Sequence, residues 1–129
     1  MENPKLIGQI VKSVSSAIKK PVTIKIRKCF REDNVNAVEI AKIAEYNGAA
    51  AIAVHPRSRG QYYSGNADWD IIAKVKDSVS IPVIGNGDIF TVHDAKKMIN
   101  YTNCDAIMLA RGVRGNPWFF KQVKSYLED

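Results

Sequence analysis

The stretch that decides the fold is "IPVIGNGDIFTVHDAKKMI", residues 81–99. Its first part, "IPVIGN" at 81–86, begins as an apolar, β-branched run, which predicts a buried strand. The segment Gly-Asn-Gly-Asp at 85–88 ends that strand, and Thr91 is suited to cap a helix over 91–102. A buried strand followed directly by a helix is the unit of parallel α/β folds. The joint between them could be a plain turn, or it could hold a ligand.

The same strand–helix unit recurs along the chain. Apolar runs predict further strands, and helical spacing predicts further helices, with strands at 21–27, 49–55 and 105–110 and helices at 4–19, 34–47, 68–79 and 116–127. Continuously apolar strands suit a parallel sheet covered by helices, so the fold class is α/β. Four such units make half of a (β/α)8 barrel, and an open doubly wound sheet is the other arrangement. We predict a single domain over residues 1–129.

The composition is that of a globular protein, with 46% hydrophobic and 25% charged residues among 129. No apolar run approaches the ~20 residues that span a bilayer, so no membrane partner is expected. Cys29 and Cys104 have neither CxxC spacing nor a His/Cys cluster, which favours reduced thiols in a cytoplasmic protein and no metal site. The net charge of +6 suits a polyanionic partner such as nucleic acid.

Polar residues follow the predicted strands in register. Because the carboxyl ends of parallel strands meet at one edge, and ligands of such folds bind there, we expect these residues to converge. Lys25 lies late in the first strand, and His55 ends the second. The further members of the set are Arg57 and Arg59 beyond the second strand, Asn86, Gly87 and Asp88 at the third, and Ala110, Arg111 and Gly112 at the fourth.

Two features of this edge indicate an anionic ligand. In "VTIKIR" the alternation puts Lys25 on the face opposite the apolar residues, where a lysine in the barrel interior needs an anionic or electron-rich partner. The glycines Gly87, Gly112 and Gly115 allow backbone N–H groups to approach an oxyanion, and Arg111 adds charge, so they could form a phosphate cup. A solvated strand-end lysine, tight turns and a surface arginine are the alternative interpretation.

Three segments resemble the tRNA dihydrouridine synthases: "VTIKIR", "HPRSRGQYYSGNADWDIIAKVKDSVSIPVIGNGDI" and "DAIMLARGVRGNPWFF". The resemblance covers nearly the whole chain and implies a parallel (β/α)4 half-barrel, strands 5–8 of an FMN-binding TIM barrel. It implies FMN-dependent reduction of uridine to dihydrouridine in tRNA, with NADPH as reductant. Expected alternatives are another FMN or phosphate-sugar barrel enzyme, or a non-catalytic anion-binding fragment.

The resemblance also assigns residues. It places Lys25 and His55 by the flavin ring, and Arg57 and Arg59 against tRNA phosphates or the target base. The implied contacts to the FMN phosphate and ribityl are Asn86, Gly87, Asp88, Ala110 and Arg111. At 110 this chain has alanine where the family usually has glycine, which is tolerable if only the backbone N–H is used and φ is negative.

One family element has no counterpart in this sequence. The family's catalytic cysteine stands before a proline, and neither Cys29 nor Cys104 does, so no catalytic residue is assigned. The resemblance places that cysteine on earlier strands, and a tRNA-binding helical domain after the barrel. We therefore expect the isolated chain to be inactive. We also expect it to self-associate or to pair with an N-terminal half-barrel, because a half-barrel leaves open sheet edges.

Overall fold

The computed structural model describes residues 1–128 and consists of alternating helices and strands. The predicted order of elements is confirmed. The elements are α1 (Pro4–Ala17), β1 (Thr23–Cys29), α2 (Ala37–Tyr46), β2 (Ala51–Ser58), α3 (Trp69–Lys76), β3 (Val83–Asn86), α4 (Val92–Thr102), β4 (Ala106–Met108) and α5 (Phe119–Glu128). A short 3-10 helix, Arg111–Val113, joins β4 to α5. Within residues 1–128, no helix has the length and apolar character needed to cross a membrane.

The four strands form one parallel sheet in the order β1-β2-β3-β4. The register pairs Lys25 with Ala53, Ala53 with Ile84 and Ile84 with Ala106, so one row of side chains crosses the whole sheet. A strand order without reversal, with a helix after each strand, is that of a barrel and not of a doubly wound sheet. The predicted (β/α)4 half-barrel is therefore confirmed. Its outermost strands are β1 and β4.

The core lies between one face of this sheet and the helices. Alternate strand residues such as Ile52, Val54 and Val83 are fully buried there, together with Ile40 of α2 and Met98 of α4. Each such side chain contributes roughly 1.5–3 kcal/mol by leaving water. The opposite face carries the residues between them, including Lys25, and it opens away from the helices. This open face is the concave side of the half-barrel.

Three predicted strand ends are wrong, and those of β2 and β4 affect the site. The strand β1 continues to Cys29 and does not end at residue 27. The prediction ended β2 with the apolar run at His55, but the strand continues to Ser58. A shift in the β1–β2 register after Arg27 accommodates Pro56, and pairing resumes between Cys29 and Ser58. Arg57 therefore lies within β2 and not beyond it. Conversely, β4 ends at Met108 and not at residue 110, because the chain then turns into the 3-10 helix.

Candidate anion-binding site

The carboxyl ends of the four strands enclose a cleft of about 420 Å³. All seven residues that the sequence predicted to contact a cofactor line this cleft, namely Lys25, His55, Asn86, Gly87, Asp88, Ala110 and Arg111. They come from four separate strand ends spread over most of the chain. The parallel topology is what brings them together, because each strand delivers its last residues to the same edge.

Lys25 and Asn86 form the polar floor of the cleft. Lys25 Nζ donates to Asn86 Oδ1 at 2.9 Å, and Asn86 Nδ2 donates to the Met108 carbonyl at 2.8 Å. Asn86 is only 4% exposed, so its amide is fixed from both sides. Burial, and secondly the positive charge of Arg27, lower the pKa of Lys25. An anion in the cleft would offset both effects and favour the charged ammonium.

His55 is a neutral side chain in this environment. Burial, followed by the charges of Lys25, Arg27 and Arg57, lowers its pKa to about 4. Its Nδ1 is buried and has no hydrogen-bond partner within residues 1–128. A buried polar atom of this kind is costly unless a ligand or a water molecule satisfies it. His55 can therefore offer a ligand a hydrogen bond without adding charge to the cleft.

Asp88 is the most heavily engaged side chain of the site. Its two carboxylate oxygens accept hydrogen bonds from Arg57 Nη1 at 2.8 Å and Nη2 at 2.7 Å, from Arg111 Nη2 at 2.7 Å, and from the Ala67 amide at 2.8 Å. Burial alone would raise the pKa of Asp88, but the Arg57 and Ala67 hydrogen bonds and the Arg57 and Arg111 charges outweigh it, and the pKa is lowered. The carboxylate is therefore ionised and already paired.

Arg57 is not placed where the sequence predicted it. It was expected to meet RNA, but it is 1% exposed, and its guanidinium is held by Asp88 and by the carbonyls of Ser64 (3.2 Å) and Gly65 (2.6 Å). These partners leave no accessible face for a phosphate, so Arg57 is not retained as an RNA contact. Arg59, two residues later, is exposed, and its guanidinium lies 4.7 Å from the centre of the Phe30 ring.

Arg111 is fixed in the wall of the cleft. Besides its bond to Asp88, its guanidinium carbon lies 4.4 Å from the ring centre of Tyr63 and 5.2 Å from that of Phe90. Ala110 precedes it with φ −136°, which meets the condition for alanine at this position. The arginine therefore presents a positive charge whose orientation is set by three neighbours.

The glycines of the expected phosphate cup differ in their placement. Gly87 has φ +133°, which favours glycine, and a Cβ on Gly112 would lie 2.3 Å from the Ile89 carbonyl oxygen. Both line the cleft, whereas Gly115 is outside its lining. The loops after β3 and β4 therefore pack so closely that Gly112 has no room for a side chain. Two of the three glycines expected to form a phosphate cup therefore line the cleft.

Besides the apolar Ile89 and Met108, four charged or aromatic lining residues were missed by the sequence analysis: Arg27, Tyr63, Phe90 and Arg114. Arg27 had a signal, since it alternates with Lys25 on the same strand face. The other three lie in loops, where no periodicity marks them. With Arg27 and Arg114 included, four cationic side chains line the cleft, and His55 is neutral. Because Asp88 is its only acidic lining residue and Arg57 already compensates it, the cleft favours an anion.

A second groove runs beside the first along the open edge at β1. Its volume is about 600 Å³, and it shares Lys25 and Arg27 with the cleft. The remaining lining is mainly apolar, and its members are Met1, Ile7, Ile10, Val11, Ile24, Ile26, Cys29, Phe30, Arg59 and Tyr62. The two cavities therefore adjoin at the β1 edge of the sheet, one mainly polar and the other mainly apolar.

Neither cysteine is exposed as a reactive group. Cys29 is fully buried and Cys104 is 4% exposed. Burial raises the pKa of the Cys29 thiol, although the Lys28 charge opposes the shift. Their surroundings are therefore those of structural cysteines.

The fold and the basic cleft define an α/β domain of the TIM-barrel class. A mandelate oxidase structure superposes with a TM-score of 0.64 at 14% identity, covering 92% of this chain and 42% of that one. (S)-3-O-geranylgeranylglyceryl phosphate synthase from Thermoplasma acidophilum, solved with sn-glycerol-1-phosphate, superposes with a TM-score of 0.60 at 19% identity, covering 93% and 54%. At these identities the likeness shows the fold alone.

Sequence similarity identifies the family. The family model "Dihydrouridine synthase (Dus)" matches residues 1–129, so the chain belongs to the dihydrouridine synthase family. tRNA-dihydrouridine synthase B of Shewanella oneidensis is 45% identical over 128 residues, which cover 99% of this chain and 40% of that protein. A probable tRNA-dihydrouridine synthase of Rickettsia conorii is also 45% identical over 128 residues, 99% of this chain and 39% of its own length. The chain thus spans about 40% of the length of these relatives.

Proposed function

We propose that this chain is the part of a tRNA-dihydrouridine synthase that binds the phosphate and ring of FMN. The enzyme would reduce uridine to dihydrouridine in cytoplasmic tRNA. The observation that carries the proposal is the convergence of seven expected FMN residues on one basic cleft. Family membership adds the reaction, because the relatives are named as tRNA-dihydrouridine synthases.

The side chains present fit a flavin mononucleotide. A phosphate suits the fixed guanidinium of Arg111 and the backbone of the two loops that carry Gly87 and Gly112, both of which line the cleft. The orphaned Nδ1 of His55 suits a polar ring atom. When bound, FMN supplies the hydride-transfer chemistry, with NADPH as its reductant.

Lys25 and His55 would have different electrostatic roles. Lys25 places a positive charge in the cleft, which stabilises negative charge on a reduced flavin ring. Asn86 sets the direction of that ammonium through its 2.9 Å hydrogen bond. His55, neutral at physiological pH because its pKa is about 4, would orient a ligand by hydrogen bonding alone.

Arg59 is the better candidate for an RNA contact. Its exposed guanidinium lies at the apolar groove next to the cleft, where a backbone phosphate of a bound tRNA could reach it. The net charge of +6 supports association with a polyanion. Arg57, which is buried in its ion pair with Asp88, would instead hold the neighbouring loop.

We propose further that the chain alone does not complete the reaction. Within residues 1–128 both cysteines are buried, so neither is placed to protonate a uracil. The outer strands β1 and β4 and the apolar groove would be covered by a complementary half-barrel or by a second copy.

A chimeric enzyme tests the proposed function. The matched 128-residue segment of the Shewanella oneidensis synthase would be replaced by this chain, and dihydrouridine in unmodified tRNA would be measured by mass spectrometry. The chimera is expected to form dihydrouridine, and the isolated chain is not. A folded chimera without activity would contradict the assigned reaction, and activity of the isolated chain would contradict its incompleteness.

A further inference from the structure

Four hydrogen bonds reach Asp88 from three different parts of the chain. Arg57 comes from β2, the Ala67 amide from the loop before α3, and Arg111 from the 3-10 helix after β4. An ionised carboxylate has about four lone-pair sites, so the protein itself already uses the accepting capacity of this group. Although Asp88 lines the cleft, little of it remains for a ligand.

A carboxylate in an anion-binding cleft needs an explanation, because its charge opposes the ligand. Here the buried guanidinium of Arg57 forms a two-pronged ion pair with Asp88 and offsets that charge. Once its charge is offset, the remaining effect of Asp88 on the cleft is to orient the groups that donate hydrogen bonds to it. Arg111 is bound by the carboxylate on one side and by the rings of Tyr63 and Phe90 on the others.

The same carboxylate holds the loop over residues 59–67. Arg57 is also held by this loop, because its guanidinium donates hydrogen bonds to the carbonyls of Ser64 and Gly65. The loop ends at Ala67, whose N–H donates to Asp88. Tyr63 lies within this loop and lines the cleft. Loop and arginine are thus tied to one side chain.

We propose that Asp88 is a positioning residue of the cleft: its carboxylate fixes Arg111 and the loop that carries Tyr63, and so sets the affinity for a phosphate-bearing ligand without itself binding that ligand. This revises the expectation that Asp88 contacts FMN directly. The inference rests on the proposed function only in naming FMN as the ligand, since inorganic phosphate probes the same cations.

The test compares two variants with a matched control. Asp88→Asn keeps the shape and removes the charge, and Arg57→Lys keeps a charge but loses the two-pronged pair. Asp77→Asn, at the exposed C-terminal end of α3, makes the same chemical change as Asp88→Asn at a distance from the cleft. Dissociation constants for FMN and for inorganic phosphate would be measured on the 129-residue chain. Hydrogen–deuterium exchange over 59–67 and thermal unfolding would be measured on the same samples.

If Asp88 acts by positioning its partners, the two variants should lose ligand affinity through the same network. Asp88→Asn and Arg57→Lys should each weaken FMN binding by about tenfold, and the double variant should be little worse than either, because both disrupt one network. Exchange over 59–67 should accelerate in both before any ligand is added, whereas Asp77→Asn should leave both readouts unchanged. If Asp88→Asn fails to fold, the phosphate affinity of Arg57→Lys and its hydrogen–deuterium exchange over 59–67 decide whether the Asp88–Arg57 pair positions the cleft.

Three results would overturn the inference. If Asp88→Asn binds phosphate more tightly than the unmodified chain, the Asp88 carboxylate only repels the anion. Weak binding by Asp88→Asn with normal binding and exchange in Arg57→Lys would show a direct contact. Unchanged exchange in both variants would show that Asp88 does not hold the loop. Should the unmodified chain bind phosphate but not FMN, with the variant losses persisting for phosphate, the proposed function fails and the positioning role stands.

Discussion

Lys25 donates a 2.9 Å hydrogen bond to Asn86, although the two residues are 61 positions apart and their strands are not neighbours. β2 lies between them, and at the position paired with Lys25 it carries only the methyl group of Ala53. The small residue leaves space for the lysine to cross the concave face. One hydrogen bond therefore ties the first and third strands at the floor of the cleft.

Asn86→Leu tests what this bond contributes to stability. The change leaves the Met108 carbonyl and the Lys25 ammonium without their buried partner, so we expect a loss of about 1–3 kcal/mol in the free energy of unfolding. Urea denaturation measures it. Asn100→Leu, on the exposed side of α4, is the matched control and should change stability by less than about 0.5 kcal/mol. Equal effects of the two variants would show that the Lys25–Asn86 bond is not stabilising.

The protonation of His55 gives a pH dependence with a defined sign. Its folded pKa of about 4 lies below the ordinary value of 6.5, so the unfolded chain takes up the proton first. The contribution of neutral His55 to the free energy of unfolding is complete above pH 6.5. It is lost as the pH falls from 6.5 towards 4, and the loss is about 3 kcal/mol at most. NMR titration of the imidazole resonances checks the pKa. His93→Gln leaves a single histidine to assign, since the chain has two. A His55 pKa near 6.5 would contradict its desolvated, cationic surroundings.

Gly112 is expected to tolerate no side chain. A Cβ there would lie 2.3 Å from the Ile89 carbonyl oxygen, so Gly112→Ala must displace the backbone of one cleft loop. We expect a cost of roughly 1–3 kcal/mol in thermal or urea unfolding, together with weaker phosphate binding. Gly60→Ala is the control, because its nearest neighbour would be Ser58 Oγ at 3.9 Å. A Gly112→Ala variant as stable as Gly60→Ala would show that the two loops are not in close contact.

Open edges predict association of the isolated chain. β1 and β4 have no further strand beside them, and the groove along β1 is mainly apolar. We expect light scattering to show dimers or larger species at micromolar concentration. Arg59→Glu and Ile10→Glu, both on the lining of that groove, should reduce the association if the groove is buried in it. A monodisperse monomer would contradict this expectation.

The alternation of strands and helices was predictable because its signals are local, whereas the choice of a half-barrel over a doubly wound sheet came from the family resemblance. Buried parallel strands are continuous apolar runs, and the helices have their own periodicity. Side-chain caps occur at Asn3, which accepts from Leu6 N, and at Thr91, which accepts from Asp94 N. Strand ends were less accurate. The strand β2 was predicted to end at His55, whereas one extra residue of β2 opposite β1 lets it continue through Pro56 to Ser58. This irregularity shows only in how the two strands pair, which the sequence of β2 alone does not report.

The sequence predicted the site residues whose position depends on strand order. It did not predict those whose position depends on an ion pair with a distant residue. Lys25, His55, Asn86 and Arg111 meet because parallel strands share an edge. The burial of Arg57 depends instead on Asp88, 31 residues away, and on two loop carbonyls. An arginine two residues past a histidine looks the same in sequence whether it faces solvent or an ion pair, so only the three-dimensional arrangement separates Arg57 from Arg59.

The central claim is that these strand ends form an FMN site, and a titration of FMN into the purified chain tests it most directly. Fluorescence quenching should give saturable binding with one FMN per chain. Lys25→Met should weaken it by about tenfold or more, because an ammonium in the cleft is lost. Lys42→Met, on the exposed side of α2, should leave it unchanged. Failure of the folded chain to bind FMN, or equal affinities of the Lys25→Met and Lys42→Met variants, would contradict the account.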